Sequence, residues 1–124
     1  MQTKSMKKII VSVLVAGIMV VGGVITAFAA TATSRGPTYV AGGSSYINWE
    51  FESSATGYTW NYYRWNYASG ATGVSITSKR AVKGADPREV YGRMSATYQG
   101  SPVLSDSVVT WHEILNSSGA IGVH

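Results

Sequence analysis

Gly57-Tyr58-Thr59-Trp60-Asn61-Tyr62-Tyr63-Arg64-Trp65-Asn66-Tyr67-Ala68-Ser69-Gly70 is the stretch on which the fold turns. Six of the ten residues from 58 to 67 are aromatic, and Arg64 is the one charge among them. Aromatic side chains favour a pleated, half-buried surface, and glycines bracket the run as turn residues bracket a strand. With a strict two-residue period, Tyr58, Trp60, Tyr62, Arg64 and Asn66 share one face, and Thr59, Asn61, Tyr63, Trp65 and Tyr67 the other. Neither face is cleanly polar, so the strand does not divide simply into a core side and a solvent side. Its rings supply much of the apolar area that a small core needs. Trp60, Tyr62, Tyr63, Arg64 and Trp65 are also the candidate ligand-binding residues, because Trp, Tyr and Arg are enriched at binding hot spots.

The neighbouring stretches support a β fold. Residues 46–52 alternate, with Ile47, Trp49 and Phe51 on one face and Asn48, Glu50 and Glu52 on the other. Ser53-Ser54-Ala55-Thr56-Gly57 is rich in turn residues and is expected to join the two strands as a hairpin. A third short strand is expected around Val74 and Ile76. Residues 79–88 read as a loop around Gly84-Ala85-Asp86-Pro87, carrying the basic cluster Lys79, Arg80, Lys83 and Arg88. Residues 89–99 alternate again: Val90, Gly92, Met94, Ala96 and Tyr98 share a face, on which Gly92 and Ala96 leave room for large rings opposite. Residues 103–115 fit either a strand or a helical stripe, and β-branched Val108, Val109 and Thr110 favour the strand. The fold class expected is all-β, a small antiparallel β-sandwich over residues 46–115.

Upstream of it, Lys4, Lys7 and Lys8 precede an uncharged apolar run from 9 to 24, and Ala27-Phe28-Ala29 follows. Basic, apolar and small-x-small in that order is the pattern of a secretory signal peptide, expected to span 1–29 and to be cut after Ala29, with Ala30 or Ala32 as later options. The rival is an uncleaved anchor: the run is slightly long for a signal's apolar core and slightly short for a spanning helix, and the Ala-x-Ala site favours cleavage. Residues 30–45, rich in Thr, Ser, Gly and Ala, are expected to be a flexible linker, and 116–124 a flexible tail.

Export changes the charge balance. The chain carries a formal +4, but removal of the three N-terminal lysines leaves seven bases against six acids. A near-neutral domain lacks the broad basic field of a nucleic-acid binder, so no nucleic-acid partner is expected. The chain has no cysteine, which excludes disulfide staples, thiol redox chemistry and cysteine–zinc sites. His112-Glu113 is not followed by a second histidine at the zincin spacing, since position 116 is Asn116. There is no Gly-x-Ser-x-Gly elbow and no phosphate-cradling loop, so neither an enzymatic role nor a cofactor is expected.

Trp49-Glu50-Phe51, Trp60-Asn61-Tyr62-Tyr63, Ala71-Thr72-Gly73-Val74 and Tyr91-Gly92-Arg93-Met94-Ser95-Ala96 together resemble the lactococcin 972-type bacteriocins. The resemblance spans roughly residues 46–115. Glu52 stands where that family often has Gly, and Arg64 where it often has His. The resemblance implies a β-sandwich secreted without modification, acting on a cell-envelope component of related bacteria, with cell-wall precursor at the division septum as the best-known target. Membrane contact would be through the signal peptide alone. Two other classes fit the same residues: a non-toxic envelope- or glycan-binding module whose rings stack on sugars, and an interaction protein whose aromatic edge pairs with a second copy as a homodimer.

Overall fold

The computed structural model describes residues 29–124 in full, together with the backbone of Ile10–Val11, Leu14–Val15, Met19–Val21 and Val24–Thr26. The expected signal peptide therefore lies outside the fully described residues. From Ala30 onward the chain is almost entirely strand: β1 (Ala30–Arg35), β2 (Thr38–Val40), β3 (Ser45–Thr56), β4 (Thr59–Gly70), β5 (Val74–Lys83), β6 (Glu89–Tyr98), β7 (Ser101–Ile114) and β8 (Ile121–Val123). A single 3-10 turn, Ala41–Gly43, joins β2 to β3.

The strands form two antiparallel sheets packed face to face. In the first, β1 and β2 lie along one flank of β3 and β4 along the other. In the second the order is β5-β6-β7-β8, with the short strand Ile10–Val11 paired to the far side of β8. Local chemistry fixes the hairpins. Gly57 takes φ +58 as the first of two loop residues between β3 and β4, the signature of a II′ turn. Gln99 and Gly100, both at positive φ, make the I′-type connection from β6 to β7.

Ile47, Trp49 and Phe51 of β3 face Val90, Met94 and Ala96 of β6 across the core, with Trp65 and Val109 packed against them. A second cluster joins Ala32 and Ala55 of the first sheet to Ile114, Ile121 and Val123 of the second. The expected room beside Gly92 is there: a Cβ on Gly92 would lie 2.7 Å from the Trp65 ring and 2.9 Å from the Thr110 methyl. Large ring and missing side chain are therefore complementary across the two sheets.

Several boundaries differ from the sequence expectation. Residues 30–35 and 38–40 are strands of the first sheet, not a flexible linker. Ala30, Ala32 and Ser34 are buried because their small side chains fit beneath the crowded end of the second sheet, a fit that hydropathy does not register. Ser53, Ser54 and Ala55 are buried members of β3 rather than a turn, which shrinks to Gly57 and Tyr58. Likewise β5 runs through Lys79 and Arg80 to Lys83, so the expected loop contracts to residues 84–88. The expected tail contributes β8, with Ile121 wholly buried, and the ambiguous 103–115 segment is a strand to Ile114.

Candidate functional site

Two β-bulges decide where the aromatic strand points its side chains. Ala55 pairs with Trp60 but Ser54 pairs with Tyr62, so Asn61 is the extra residue. Phe51 pairs with Trp65 but Glu50 pairs with Tyr67, so Asn66 is extra at the second bulge. Each inserted residue shifts the two-residue alternation by one. Consequently Trp60, Tyr63, Trp65 and Ala68 all pack toward the core, whereas a strict period places Trp60 and Trp65 on opposite faces.

The five candidate residues are thus separated. Trp60, Tyr63 and Trp65 belong to the inside. The Trp65 ring meets Phe51 edge-on at 5.0 Å and Trp49 at 5.6 Å, and its indole N–H donates to the Arg80 carbonyl at 2.9 Å. Trp60 lies 6.2 Å from Tyr63 and donates to the Pro87 carbonyl at 3.1 Å. Both half-buried indoles thereby fasten β4 to β5 and to the loop that follows it, and an indole packed on the core finds a partner for its N–H.

Tyr62 and Arg64 face outward. Arg64 lies with its guanidinium carbon 4.3 Å from the Tyr62 ring centroid, a cation–π distance. It also donates from Nη2 to Glu52 at 2.9 Å, while 58% of its side chain stays exposed. An unpaired charge is costly to bury, and Arg64 meets solvent, an acid and a ring together. The face around it is an ordered polar ladder. Arg35 Nε donates to Glu50 Oε1 at 2.9 Å, and Asn66 Nδ2 to Glu50 Oε2 at 2.8 Å. The Asn66 hydrogen bond holds the Glu50 carboxyl below its usual range; burial, the next largest effect, opposes it, and the bond and charge of Arg35 add to the lowering. Asn61 bonds Ser54 and Thr56. Tyr67, paired with Glu50, is exposed, and four residues further along β3 Tyr46 pairs edge-on with Tyr39 at 6.1 Å. This outward face combines exposed tyrosines with carboxylates already held by arginines and an asparagine. It presents flat rings and a fixed guanidinium fork to solvent.

Glu50, Glu52, Tyr39 and Tyr46 were missed as site residues. The alternation of 46–52 marked the two glutamates as outward, but their partners Arg35 and Asn66 come from elsewhere in the sheet. Tyr39 lay within the stretch read as a linker.

His112 was also missed. It is wholly buried between the sheets, its ring edge-on to Phe51 at 5.1 Å. Ser53 Oγ lies 2.5 Å from its Nδ1 and Ser34 Oγ 2.8 Å from its Nε2. Ser34 Oγ also lies 2.8 Å from Thr110 Oγ1, which donates to the His124 carbonyl. A neutral imidazole suits two hydroxyls, donating from one nitrogen and accepting at the other. Burial pushes this imidazole from 6.5 down to about 4, and the nearby His124 acts in the same direction. The cluster cross-links the two sheets through side chains that solvent does not reach.

Among the described residues no group of three or more His, Cys, Asp or Glu side chains is placed to hold a metal ion. No helix among them is long and apolar enough to cross a membrane. No family model, curated protein or solved structure matches the chain.

Proposed function

We propose that this chain is a secreted antibacterial protein of the lactococcin 972 type, which binds a cell-envelope component of related bacteria through the outward face of its first sheet. The observation that carries the reading is Arg64, half exposed, lying on Tyr62 and tethered by Glu52. A guanidinium fixed in this way keeps unused N–H donors for an anionic or hydroxyl-rich ligand, with little conformational freedom left to lose on binding. Tyr62 lies beside it, and exposed Tyr39, Tyr46 and Tyr67 extend the face. Trp60, Tyr63 and Trp65 hold the strand that carries the face and do not enter the ligand surface.

Export follows from the basic, apolar, Ala-x-Ala order at residues 1–29. Of the three cut positions, the one after Ala29 agrees best with β1, because Ala30 and Ala32 are buried strand residues. Sequencing the N-terminus of secreted protein tests this; a product that retains Lys4 overturns it.

The exposed tyrosines also favour a second reading, a non-toxic glycan-binding module, since aromatic rings offer flat apolar faces. Purified protein spotted on lawns of related bacteria, alongside pull-down by isolated cell walls, separates the two. Killing that is lost in a folded Arg64→Ala variant supports the antibacterial reading. Wall binding without killing supports the module, and neither activity in correctly folded protein removes both. Elution as a dimer in size-exclusion chromatography would favour pairing between copies instead.

A further inference from the structure

The second sheet carries an aromatic row of its own on its outward face. Tyr91 of β6 pairs with Trp111 of β7, and Trp111 exchanges two backbone hydrogen bonds with His124 just beyond β8. The Tyr91 and Trp111 rings meet edge-on at 5.9 Å, and the His124 ring lies 4.7 Å from Trp111. Trp111 is 37% exposed. Trp49, Trp60 and Trp65 each donate their indole N–H to a protein oxygen, whereas Trp111 has no such partner among the described residues.

The next row along the same strands is Glu89 opposite Glu113. Two residues further along each strand, they share the outward face of Tyr91 and Trp111. Like charges directly opposite one another destabilise a strand pair. Glu50, Glu52 and Asp106 each hold an arginine, but among the described residues Glu89 and Glu113 hold neither lysine nor arginine. Glu89 accepts from the Tyr91 hydroxyl at 2.7 Å, and Glu113 lies 3.3 Å from His124 Nε2. That bond to Glu89 first, then burial, then the charges of Glu89, Asp86 and Glu113 raise the Tyr91 hydroxyl above its usual range. The Glu89–Glu113 edge of the row is therefore electronegative, while on the other side of Tyr91 along β6 the Arg93 guanidinium is held against Asp106.

We infer that the outward Tyr91–Trp111–His124 row, with Glu89 and Glu113 at its edge, is a docking site for a lysine side chain of a partner polypeptide. Charge complementarity selects the occupant. An indole face attracts a cation, and its attraction strengthens as water is excluded. A primary ammonium has three donors on a compact charge, enough to serve both opposed carboxylates at once. A guanidinium prefers one coplanar carboxylate, the arrangement that Arg80 already makes with Asp106. An anionic ligand would be repelled, and a neutral sugar would leave the opposed charges unrelieved. His124 shows the geometry in miniature, a ring nitrogen 3.3 Å from Glu113 and its ring beside Trp111, tilted by 43° so that the indole stays partly exposed.

The test is a titration of the full chain followed through its four tryptophan indole N–H resonances, with Trp111→Phe assigning the fourth. The probes are Nα-acetyl-lysine methylamide and the same molecule acetylated at Nζ. The site requires a saturable shift of the Trp111 resonance with the first probe and at least fivefold weaker binding of the second, about the size of one partly exposed charge interaction. Glu89→Gln and Glu113→Gln should each weaken the lysine probe by a few-fold and leave the other three indoles unmoved. Absence of a saturable shift, or equal response to the acetylated probe, overturns the proposal. That comparison uses the unaltered protein and holds even if a variant fails to fold.

Discussion

Along the seam between β4 and β5 the two sheets are joined by indoles: Trp60 and Trp65 fill the gap with apolar area and donate to the Pro87 and Arg80 carbonyls. Along the seam between β1 and β7 they are joined by hydroxyls and one imidazole, Ser34, Ser53, Thr110 and His112. The first seam contains no group that titrates near neutrality. The second is built around an imidazole that titrates near neutrality only once the chain unfolds. Without a disulfide, the sandwich thus relies on burial at one side and on polar satisfaction at the other. The difference teaches that its stability should respond to acid on one side only.

Trp65→Ala should have the largest effect. It empties a site bounded by Trp49, Phe51 and Gly92 and leaves the Arg80 carbonyl without its donor. Truncation of a core aromatic costs roughly 3–5 kcal/mol, a large part of the total for a domain this small. Denaturant melts at pH 7 measure it; a loss below ~1 kcal/mol would remove the indole seam as a structural element.

Acid should come next and should act through the other seam. Between about 4 and 6.5 the unfolded chain binds a proton at His112 that the folded chain does not. The contribution of neutral His112 is therefore complete above pH 6.5, shrinks as pH falls and is gone near pH 4. The difference in affinity amounts to about 3 kcal/mol. Melts of wild type and His112→Gln across this range should diverge, with the variant flatter. Parallel curves would show that the polar seam is not the acid-sensitive one.

Gly92→Ala probes where the indole seam reaches the second sheet. The added methyl meets the Trp65 ring and Thr110 at distances too short for contact. Overpacking of this kind costs typically ~1–3 kcal/mol. A neutral result in a melt would mean that Trp65 can move aside, and the seam would be softer than its edge-on packing implies.

Arg64→Ala should change stability least. Its ion pair with Glu52 is largely exposed, and exposed pairs contribute ~0–1 kcal/mol. Its effect should appear in wall binding or killing instead, and Arg64→Lys should restore part of it by keeping the charge without the planar fork. A large thermal destabilisation would make Arg64 a structural residue and weaken the proposed ligand face.

How much was legible in the sequence follows the same division. The indole seam could be anticipated in outline: aromatic run, small residues at Gly92 and Ala96, and alternation at 46–52 all point to rings packed between sheets. Its phase could not, because Asn61 and Asn66 look like ordinary strand residues until register shows them to be insertions. The polar seam was almost illegible. Ser34 and Ser53 carry no hydropathy signal, and their partner His112 lies 78 and 59 residues away along the chain. The outward face was half legible, since one strand can reveal Glu50 and Glu52 but not the Arg35 and Asn66 that hold them.

Those long separations also bear on the order of assembly. The β3–β4, β5–β6 and β6–β7 pairs are hairpin neighbours that close short loops. The contact of Ser34 with His112 requires almost the whole domain to exist first, and large loops close late because their entropy is lost before any contact forms. The polar seam should therefore be absent from the folding transition state. Weakening it should leave the folding rate nearly unchanged and accelerate unfolding, so the lifetime of the folded molecule in acid would be set by its last-made join.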